Sequence, residues 1–281
     1  MRRALIACEF SGTVRDAFAA RGWDAWSCDL LPSERPGQHY ECDVSDVIGQ
    51  QWDLLIAHPP CTFLCSSGLH WNGRIPGRED QTDEALRFVR MLLGAPVRHV
   101  ALENPVGRIS TAIRPYDQKV QPWQFGHNAS KGTCLWLKNL PPLTHTEVIA
   151  PSGWQAVKFA GDMPLCECCG EEAFCPDHQE HFGDCECIGP TQDDARYKTI
   201  DGYLFASTDA TPPRPVWGNQ TPGGQNKLCP SPDRWALRSR TYSGIARAMA
   251  EQWSASIETN NAKASSLLAE TRQGDLFGTI T

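Results

Sequence analysis

Long apolar runs are missing from this chain of 281 residues. It contains no stretch of about 18 consecutive apolar residues, so the sequence predicts no transmembrane helix. The amino terminus MRRALIACEFSG is basic and then apolar, but its apolar part, ALIAC, is too short for a signal peptide. We therefore expect a protein of the cytoplasm, with no membrane partner.

Positive charge is also scarce. The chain has 26 Lys and Arg residues against 33 Asp and Glu residues, a net charge of −7, which does not favour a dedicated nucleic-acid binder. An enzyme that acts briefly on a nucleic acid needs only a local basic face. Two candidate basic clusters are Arg234, Arg238, Arg240 and Arg247, and Lys119, Lys131 and Lys138.

Cysteine, in contrast, is abundant at 13 residues, and many of them crowd into CECCGEEAFCPDHQEHFGDCEC at positions 166 to 187. Without a secretion signal, such crowding favours a metal site over disulfides. The Cys-x2-Cys-Gly turn at its start is typical of a zinc-knuckle arm, and the group offers enough ligands for one zinc ion with spares or for two. The alternative is a set of unrelated reduced thiols. The candidate ligands are Cys166, Cys169, Cys175, His178, His181, Cys185 and Cys187.

Strand and helix patterns alternate through the first half of the chain. Amphipathic segments predict helices at 11–22 and 82–94, the second with Thr82 as its N-cap. Apolar segments predict strands at 3–10, 24–30, 39–44, 52–60 and 97–105. This alternation is typical of a doubly wound, mostly parallel α/β sheet.

The alternation of strand and helix patterns stops after about residue 145, and a regular pattern returns late in the chain. We predict one α/β domain from residues 1–145 plus 233–253, which ends in a helix at 240–253. Residues 146–232 are expected to form a Cys/His-rich insertion or small second domain. Residues 254–281 are polar and are expected to form a flexible tail.

Acidic residues follow the predicted strands at the edge where open α/β sheets bind ligands. The turn EFSG after the first strand has one glycine, Gly12, which lets the backbone approach a ligand, but it lacks the GxGxxG that a dinucleotide needs. Asp29 is placed to accept hydrogen bonds from ribose hydroxyls, and Asp43 to meet an adenine amino group. Each alone is an ordinary loop residue, but the ordered series suits an adenosine-containing ligand without a pyrophosphate, such as S-adenosylmethionine.

The stretch DLLIAHPPCTFLCSSG at 53–68 ends a buried strand in two prolines followed by Cys61. The prolines stop the sheet ladder and fix the direction in which Cys61 points. Cys61 is either an inert buried thiol or a nucleophile that adds to an electron-poor ring. Glu103, in ALENPVG, is expected beside it, where a carboxyl group could bridge the N3 and amino edge of a pyrimidine; its alternative is a surface carboxylate.

In this order, FSG, the acid after the second strand, PPC and ENP resemble the motifs of the DNA cytosine-5 methyltransferases. The resemblance covers about residues 3–145 and 233–253, and it implies a Rossmann-like sheet that binds S-adenosylmethionine and acts on double-stranded DNA. It implies that Cys61 attacks C6 of a flipped-out cytosine, that Glu103 contacts N3, and that C5 receives the methyl group. The implied cofactor contacts are Phe10, Ser11, Gly12, Asp29, Leu30, Asp43, Val44 and Pro59.

The chain departs from this family at one motif. The arginine-bearing QxRxR segment is not evident, and SKGTCLWLKNLPPL stands in its place, with Lys131 and Thr133 as partial substitutes. This form resembles short phage-type members, which implies protection of DNA from restriction. The insertion occupies the place of target recognition and is expected either to contact DNA or to be structural. Two alternatives stay open, namely modification of free pyrimidine nucleotides and a catalytically inactive DNA-binding protein on the same fold.

The end of the chain carries a second resemblance. QGDLFG, at 273–278, is similar to the short peptide by which bacterial replication and repair proteins dock onto the DNA sliding clamp. Gln273 would begin this peptide, and Leu276 and Phe277 would fill an apolar pocket of the clamp. Alternatively, the two apolar side chains fold back onto the body of the protein.

Overall fold

The computed structural model describes residues 1–157, 159–160, 163–164, 174–175, 180–181, 197–209, 211–221 and 239–277. The chain divides into two compact units. The first contains residues 1–125, 131–146 and 239–281, and the second contains residues 126–130 and 147–238.

A seven-stranded sheet forms the centre of the first unit. Its strands are β1 (Arg3–Ala7), β2 (Asp24–Asp29), β3 (His39–Glu41), β4 (Leu54–Ala57), β5 (His99–Pro105), β6 (Gln118–Val120) and β7 (Thr133–Lys138). They lie in the order β3-β2-β1-β4-β5-β7-β6. The first five strands are parallel, whereas β7 is antiparallel to both β5 and β6. The predicted large, mostly parallel α/β sheet is confirmed, but its antiparallel β6–β7 edge was missed.

Helices cover both faces of this sheet. They are α1 (Thr13–Ala19), α2 (Ser66–Leu69), α3 (Arg78–Leu93), α4 (Ile109–Ala112) and α5 (Ser243–Phe277). One buried cluster joins α1 and α5 to the sheet, and Phe18, Met249 and Trp253 are among its large members. The other cluster packs Val89 and Leu92 of α3 against the opposite face. Strands covered on both sides explain why β1 and β4 are almost continuously apolar.

Helix α3 begins earlier than the sequence predicted. Its first residue is Arg78, and Gly77 before it has a left-handed φ of 76°. Glu79 and Asp80 stand in the first turn, where carboxylates favour the positive end of the helix dipole. Thr82 is therefore not an N-cap. Its hydroxyl lies inside the helix and donates to the Arg78 carbonyl at 3.2 Å.

Helix α5 continues through 35 residues to Phe277, so the helix predicted at 240–253 extends well into the segment 254–281 that the sequence analysis assigned to a tail. Alanine, glutamate and leucine, which have high helix propensity, are frequent there, and neither proline nor glycine interrupts the segment before Gly274. Ile257 also remains 2% exposed within the core. Among the described residues, no helix combines the length and apolar character needed to cross a membrane.

The second unit contains a small antiparallel sheet with the strand order β13-β14-β8. Its strands are β8 (Trp154–Ala156), β13 (Tyr197–Ile200) and β14 (Tyr203–Ser207). Trp154, Phe205 and Trp217 are buried. Two short antiparallel pairs also occur, formed by β9 (Phe159–Ala160) with β10 (Met163–Pro164) and by β11 (Phe174–Cys175) with β12 (Glu180–His181).

Candidate active site

The predicted catalytic residues lie at the carboxyl ends of β4 and β5. Strand β1 pairs with β2 on one side and with β4 on the other, so the order of the strands reverses beside β1. Ligands of open α/β sheets bind outside the strand ends at such a switch point. The sheet therefore brings the segments after β1, β2, β4 and β5 to one edge.

The chain turns sharply after β4. The Pro59 carbonyl accepts a hydrogen bond from Nδ2 of buried Asn104 at 2.8 Å, which ties the Pro-Pro segment to β5. The carbonyl of Cys61 accepts from the amides of Leu64 and Cys65, at 3.0 and 2.9 Å. Cys61 thus begins a tight turn beyond the end of the strand and stays only half-buried.

Glu103 is paired with a residue that the sequence analysis missed, His58. Nδ1 of His58 lies 3.1 Å from Oε2 of Glu103, and the two side chains are only 10% and 16% exposed. The Nε2 atom of His58 is buried and has no hydrogen-bond partner among the described groups. The signal in the sequence was a histidine three residues before Cys61, at the end of the same strand.

The surroundings of Glu103 favour its carboxylate form. Burial is the largest single influence on the pKa of Glu103 and raises it, whereas the hydrogen bond and charge of His58 are the first of several influences that lower it. The charge of Lys131 and a hydrogen bond from Thr133 act in the same direction, so the pKa of Glu103 is lowered. Lys131 and Thr133 come from the segment that stands in place of the missing arginine motif.

Cys61 and Glu103 belong to this same cluster. The pKa of the Cys61 thiol is raised, first by its hydrogen bond with Cys65 and then by burial. The negative charge of Glu103 raises it further, and the positive charge of Lys131 opposes the increase. The charge of Glu103 therefore reaches the Cys61 thiol.

A cavity of about 130 Å³ lies at the same edge, beyond β1, β2 and β3. It contains four of the predicted cofactor residues, and Pro60 rather than Pro59 takes part. Its lining consists of Cys8, Cys28, Asp29, Leu30, Cys42, Asp43, Val44, Pro60 and Phe88.

The two carboxylates of this cavity differ in their surroundings. Oδ1 of Asp29 accepts a hydrogen bond from the Leu31 amide at 3.0 Å, and burial raises the pKa of Asp29. Oδ1 of Asp43 accepts from the Ser45 amide at 2.8 Å, which lowers the pKa of Asp43. One acid is thus sheltered inside the cavity while the other stands at its exposed margin.

Cys8 introduces strain at the base of this cavity. Cys8 lies directly after β1 with φ 57°, a left-handed backbone conformation that is energetically unfavourable for residues other than glycine. Its thiol pKa is raised by burial and by the nearby Asp29 and Cys28. Cys28 in turn has its pKa raised to about 12 by burial and by Cys42. The thiols of Cys8 and Cys28 are therefore protonated and contribute to a mostly apolar wall.

The first turn is organised differently from the prediction. The buried Glu9 carboxylate accepts hydrogen bonds from the amides of Val14 and Arg15, at 2.7 and 3.3 Å. The hydroxyl of Ser11, also buried, donates to Glu9 at 3.2 Å. The start of α1 is therefore closed by a protein carboxylate, and neither Ser11 nor Phe10 lines the cavity.

Gly12 has a structural reason to be glycine. Its φ is 69°, and a Cβ atom there would lie 2.5 Å from Nη2 of Arg15. Arg15 is 1% exposed, and its guanidinium donates to the hydroxyls of Ser27 and Ser33 at 3.1 and 3.0 Å. The close approach expected of a ligand at Gly12 is instead made by this buried guanidinium.

The predicted zinc ligands fall largely outside the described residues. Cys166, Cys169, His178, Cys185 and Cys187 lie there, and of Cys175 and His181 only the backbone is described. These two residues belong to the paired strands β11 and β12, in which Phe174 faces His181 and Cys175 faces Glu180. Among the residues whose side chains the structure describes, no group of three or more His, Cys, Asp or Glu residues could hold a metal ion.

The structure describes the first predicted basic cluster only in part, and it separates Lys138 from Lys131 in the second. Arg240 forms an ion pair with Glu34 at 2.7 Å, while Arg234 and Arg238 lie outside the described residues. Lys131 precedes β7 at the active-site edge, but Lys138 ends the strand at the opposite edge, where Nζ donates to the Ala95 carbonyl at 3.3 Å.

Comparisons with known proteins give only remote similarities. No family model matches the sequence, and no curated protein matches it. A candidate DNA modification methyltransferase encoded within an E. coli prophage has 16% identity over 53% of this chain and 52% of its own, with a TM-score of 0.35. An rRNA methylase from Escherichia coli has 14% identity over 49% and 57%, with a TM-score of 0.29. The chain thus spans about half the length of these structures, and similarities this low assign neither a family nor an activity.

Proposed function

We propose that this protein is a DNA cytosine-5 methyltransferase that uses S-adenosylmethionine. The observation that carries the proposal is the cluster of Cys61 and Glu103 at the ends of β4 and β5, next to the cavity with Asp29 and Asp43. A nucleophile and an acid at one edge of the sheet match what the PPC and ENP motifs imply. The carboxylate-lined cavity adds a place for the cofactor beside them.

The mechanism assigned to the pair is covalent. Sγ of Cys61 adds to C6 of cytosine, which moves the electron pair of the C5–C6 double bond towards C5 and makes C5 nucleophilic. Glu103 faces the N3 and amino edge: it takes up a proton when the base binds, passes that proton to N3 as the electron pair moves into the ring, and accepts a hydrogen bond from the amino group. A base inside a duplex cannot present C6 to a thiol, so the cytosine must leave the stack.

The cavity fits the adenosine part of S-adenosylmethionine. Asp29 and Asp43 supply acceptors for hydroxyl and amino groups, and Leu30, Val44 and Phe88 supply apolar walls. The amides of Val14 and Arg15 at the start of α1, which could otherwise bind a phosphate, already donate to the Glu9 carboxylate. This favours a nucleoside without phosphates over one with a pyrophosphate. When bound, the cofactor supplies the methyl group, and the acids at this edge complement its positive charge.

Two further proposals rest on the sequence. The Cys/His-rich segment 166–187 binds structural zinc, because its thiolates and imidazoles suit that ion and a short insertion has little core to stabilise it. Residues 273–277 dock onto the bacterial sliding clamp. Since their backbone is helical in the free chain, docking uses either this helical form or an unwound last turn.

The direct test is incubation of the full chain with double-stranded DNA and S-adenosylmethionine labelled in its methyl group, followed by mass spectrometry of the nucleosides. We expect labelled 5-methylcytosine from the wild type and none from Cys61→Ala. The matched control is Cys42→Ala, a half-buried thiol of the cavity wall, which should leave the position of the label unchanged.

The alternatives give different products. Label on free cytidine nucleotides but not on DNA would replace the DNA substrate by a nucleotide. DNA binding without transfer of label would indicate an inactive binding protein. Label on the N4 or N6 amino group would contradict the covalent mechanism, because those reactions do not need Cys61.

A further inference from the structure

The proposed mechanism assigns no role to His58, which lies beside Glu103. The amide of His58 donates to the Ala7 carbonyl at 2.9 Å, so its backbone is still tied to β1 one residue beyond the end of β4. Nδ1 of its imidazole lies 3.1 Å from Oε2 of Glu103, which is hydrogen-bond distance, and both side chains are largely buried. A ring that is anchored at its backbone and closed off from solvent can hold its partner in one orientation.

A second hydrogen bond joins the same two strand ends. The Pro59 carbonyl accepts from Nδ2 of buried Asn104 at 2.8 Å. Two successive residues after β4 therefore bond to two successive residues of β5, its parallel neighbour. The two bonds do different things. Asn104 holds the backbone that leads to Cys61, whereas His58 reaches the carboxyl group of Glu103 itself.

The imidazole of His58 donates to Glu103 whether the ring is neutral or charged. Its Nε2 atom is buried and has no hydrogen-bond partner among the described groups. In the neutral ring a proton on Nε2 would lie buried and unpaired, whereas a proton on Nδ1 is donated to Oε2 of Glu103. The proton therefore resides on Nδ1 in the neutral ring, as it also does in the imidazolium. A buried nitrogen without a partner lowers stability, so the reason for this histidine lies in its other nitrogen.

We infer that His58 is a positioning residue for methyl transfer, which keeps Oε2 of Glu103 as a hydrogen-bond acceptor and directs Oε1 to N3 of the pyrimidine. This inference rests on the proposed function. When the base binds, Glu103 takes up a proton from solvent, and this proton resides on Oε1 because Nδ1–H of His58 can only donate to Oε2. As Sγ of Cys61 adds to C6, the Oε1–H bond breaks and the N3–H bond forms. When the adduct collapses, N3 returns the proton to Oε1.

The contact can be tested without any substrate. The full chain is labelled with nitrogen-15 in its histidines, and the NMR signals of His58 are assigned by their loss in His58→Asn. In the wild type at pH 7 we expect a proton on Nδ1 of His58, and we expect the Nδ1 signal to shift in Glu103→Gln. His39, whose Nδ1 lies 2.8 Å from Oγ of Ser27, is the control, and its signals should not shift. An Nδ1 atom of His58 without a proton, or a signal unchanged in Glu103→Gln, would overturn the inference.

The positioning role is tested with two variants whose folding is first verified by urea unfolding. His58→Asn keeps an amide donor close to the place of Nδ1, whereas His58→Leu keeps the bulk of the ring without a donor. In single-turnover transfer of labelled methyl to double-stranded DNA, we expect His58→Leu to be slower by about tenfold or more, the loss expected when a hydrogen bond to a charged group no longer acts in the transition state. His58→Asn should stay within about threefold of the wild type, and the Kd for DNA should not change in either variant.

Three results of this assay would overturn the inference. They are a rate of His58→Leu equal to that of the wild type, an equal loss of rate in both variants, and a loss in His58→Leu that comes from weaker binding of DNA. Wild-type protein that transfers no label refutes the proposed function, whereas the NMR spectra still decide whether His58 donates to Glu103.

Discussion

The pair of His58 and Glu103 gives the sharpest prediction about stability, and the perturbation is His58→Ala. The two side chains are 10% and 16% exposed and lie 3.1 Å apart, so the change leaves a largely buried carboxylate without its first partner. Removing one partner of a buried hydrogen bond costs about 1–3 kcal/mol, and more when the group left behind is charged. Lys131 and Thr133 still act on Glu103. We therefore expect the free energy of unfolding to fall by about 2–3 kcal/mol at pH 7.

The dependence on pH follows from the pKa of Glu103. In the wild type this pKa is lowered, so the carboxylate adds stability above its ordinary value of about 4.3, and that contribution is lost as the pH falls through the folded-state value. Without His58, burial becomes the dominant influence and raises the pKa. The charged form then costs stability near neutral pH, and this cost disappears as the group takes up a proton on acidification.

The assay is urea unfolding of His58→Ala and of the double variant His58→Ala, Glu103→Gln at pH 7 and pH 5, followed by tryptophan fluorescence. At pH 7 the double variant should recover at least half of the loss, and the difference between the two should shrink at pH 5. A double variant that is less stable than the single one at pH 7, or a difference independent of pH, would refute the reasoning. Arg240→Ala is the control, because its pair with Glu34 is 42% and 32% exposed and should contribute less than about 1 kcal/mol.

Four other predictions concern single features of the chain. Gly107→Ala should lower the free energy of unfolding by about 1–3 kcal/mol through overpacking and should slow methyl transfer. Gly73→Ala is the control, because an added Cβ atom there meets nothing within 4 Å, and it should change neither quantity. Urea unfolding and a single-turnover assay measure the two effects. Asp29→Asn should weaken binding of S-adenosylmethionine by about tenfold in calorimetry, since it removes a charged hydrogen-bond acceptor; an unchanged Kd would place the cofactor elsewhere. Elemental analysis should find zinc in the wild type and less in Cys185→Ala, and folded wild type without metal would contradict the zinc site. Deletion of residues 273–277 should abolish co-purification with the sliding clamp, and any interaction that survives would rule out this peptide.

The sequence predicted the parts of the fold that depend on simple periodicity. Continuous apolar strands between amphipathic helices led to the parallel sheet, because strands covered on both faces have no polar alternation. The β6–β7 hairpin was missed, since TCLWLK was interpreted as a replacement for an arginine motif. The length of α5 was missed because its last turns are polar, and only helix propensity distinguishes such a segment from a tail.

At the site, the sequence predicted the residues that follow strands but not those that act through partners distant in sequence. The predicted residues Cys61, Glu103, Asp29 and Asp43 lie at one edge because each ends or follows a strand of the parallel sheet. His58 was missed because its role depends on Glu103, 45 residues later. The space beside Gly12 was assigned to a ligand in the sequence analysis, because no pattern in the sequence shows that the Arg15 side chain folds back over that glycine.

Charges of both signs meet at this edge of the sheet. Asp29, Asp43 and Glu103 bring three acids to the strand ends, while His58 and Lys131 act on Glu103 as positive charges and the Arg78 guanidinium donates to the carbonyls of Thr62 and Gly68. A cationic cofactor and an uncharged base are both compatible with such an edge. A free nucleotide would bring a phosphate monoester, with a charge of about −1.5 to −2 at pH 7, close to these acids, whereas each phosphate in DNA is a diester with a single charge. Under the proposed function, a phosphate monoester placed beside Asp29 and Asp43 would therefore be repelled more strongly than a diester of DNA, and competition by cytidine monophosphate in the methyl-transfer assay should be weak.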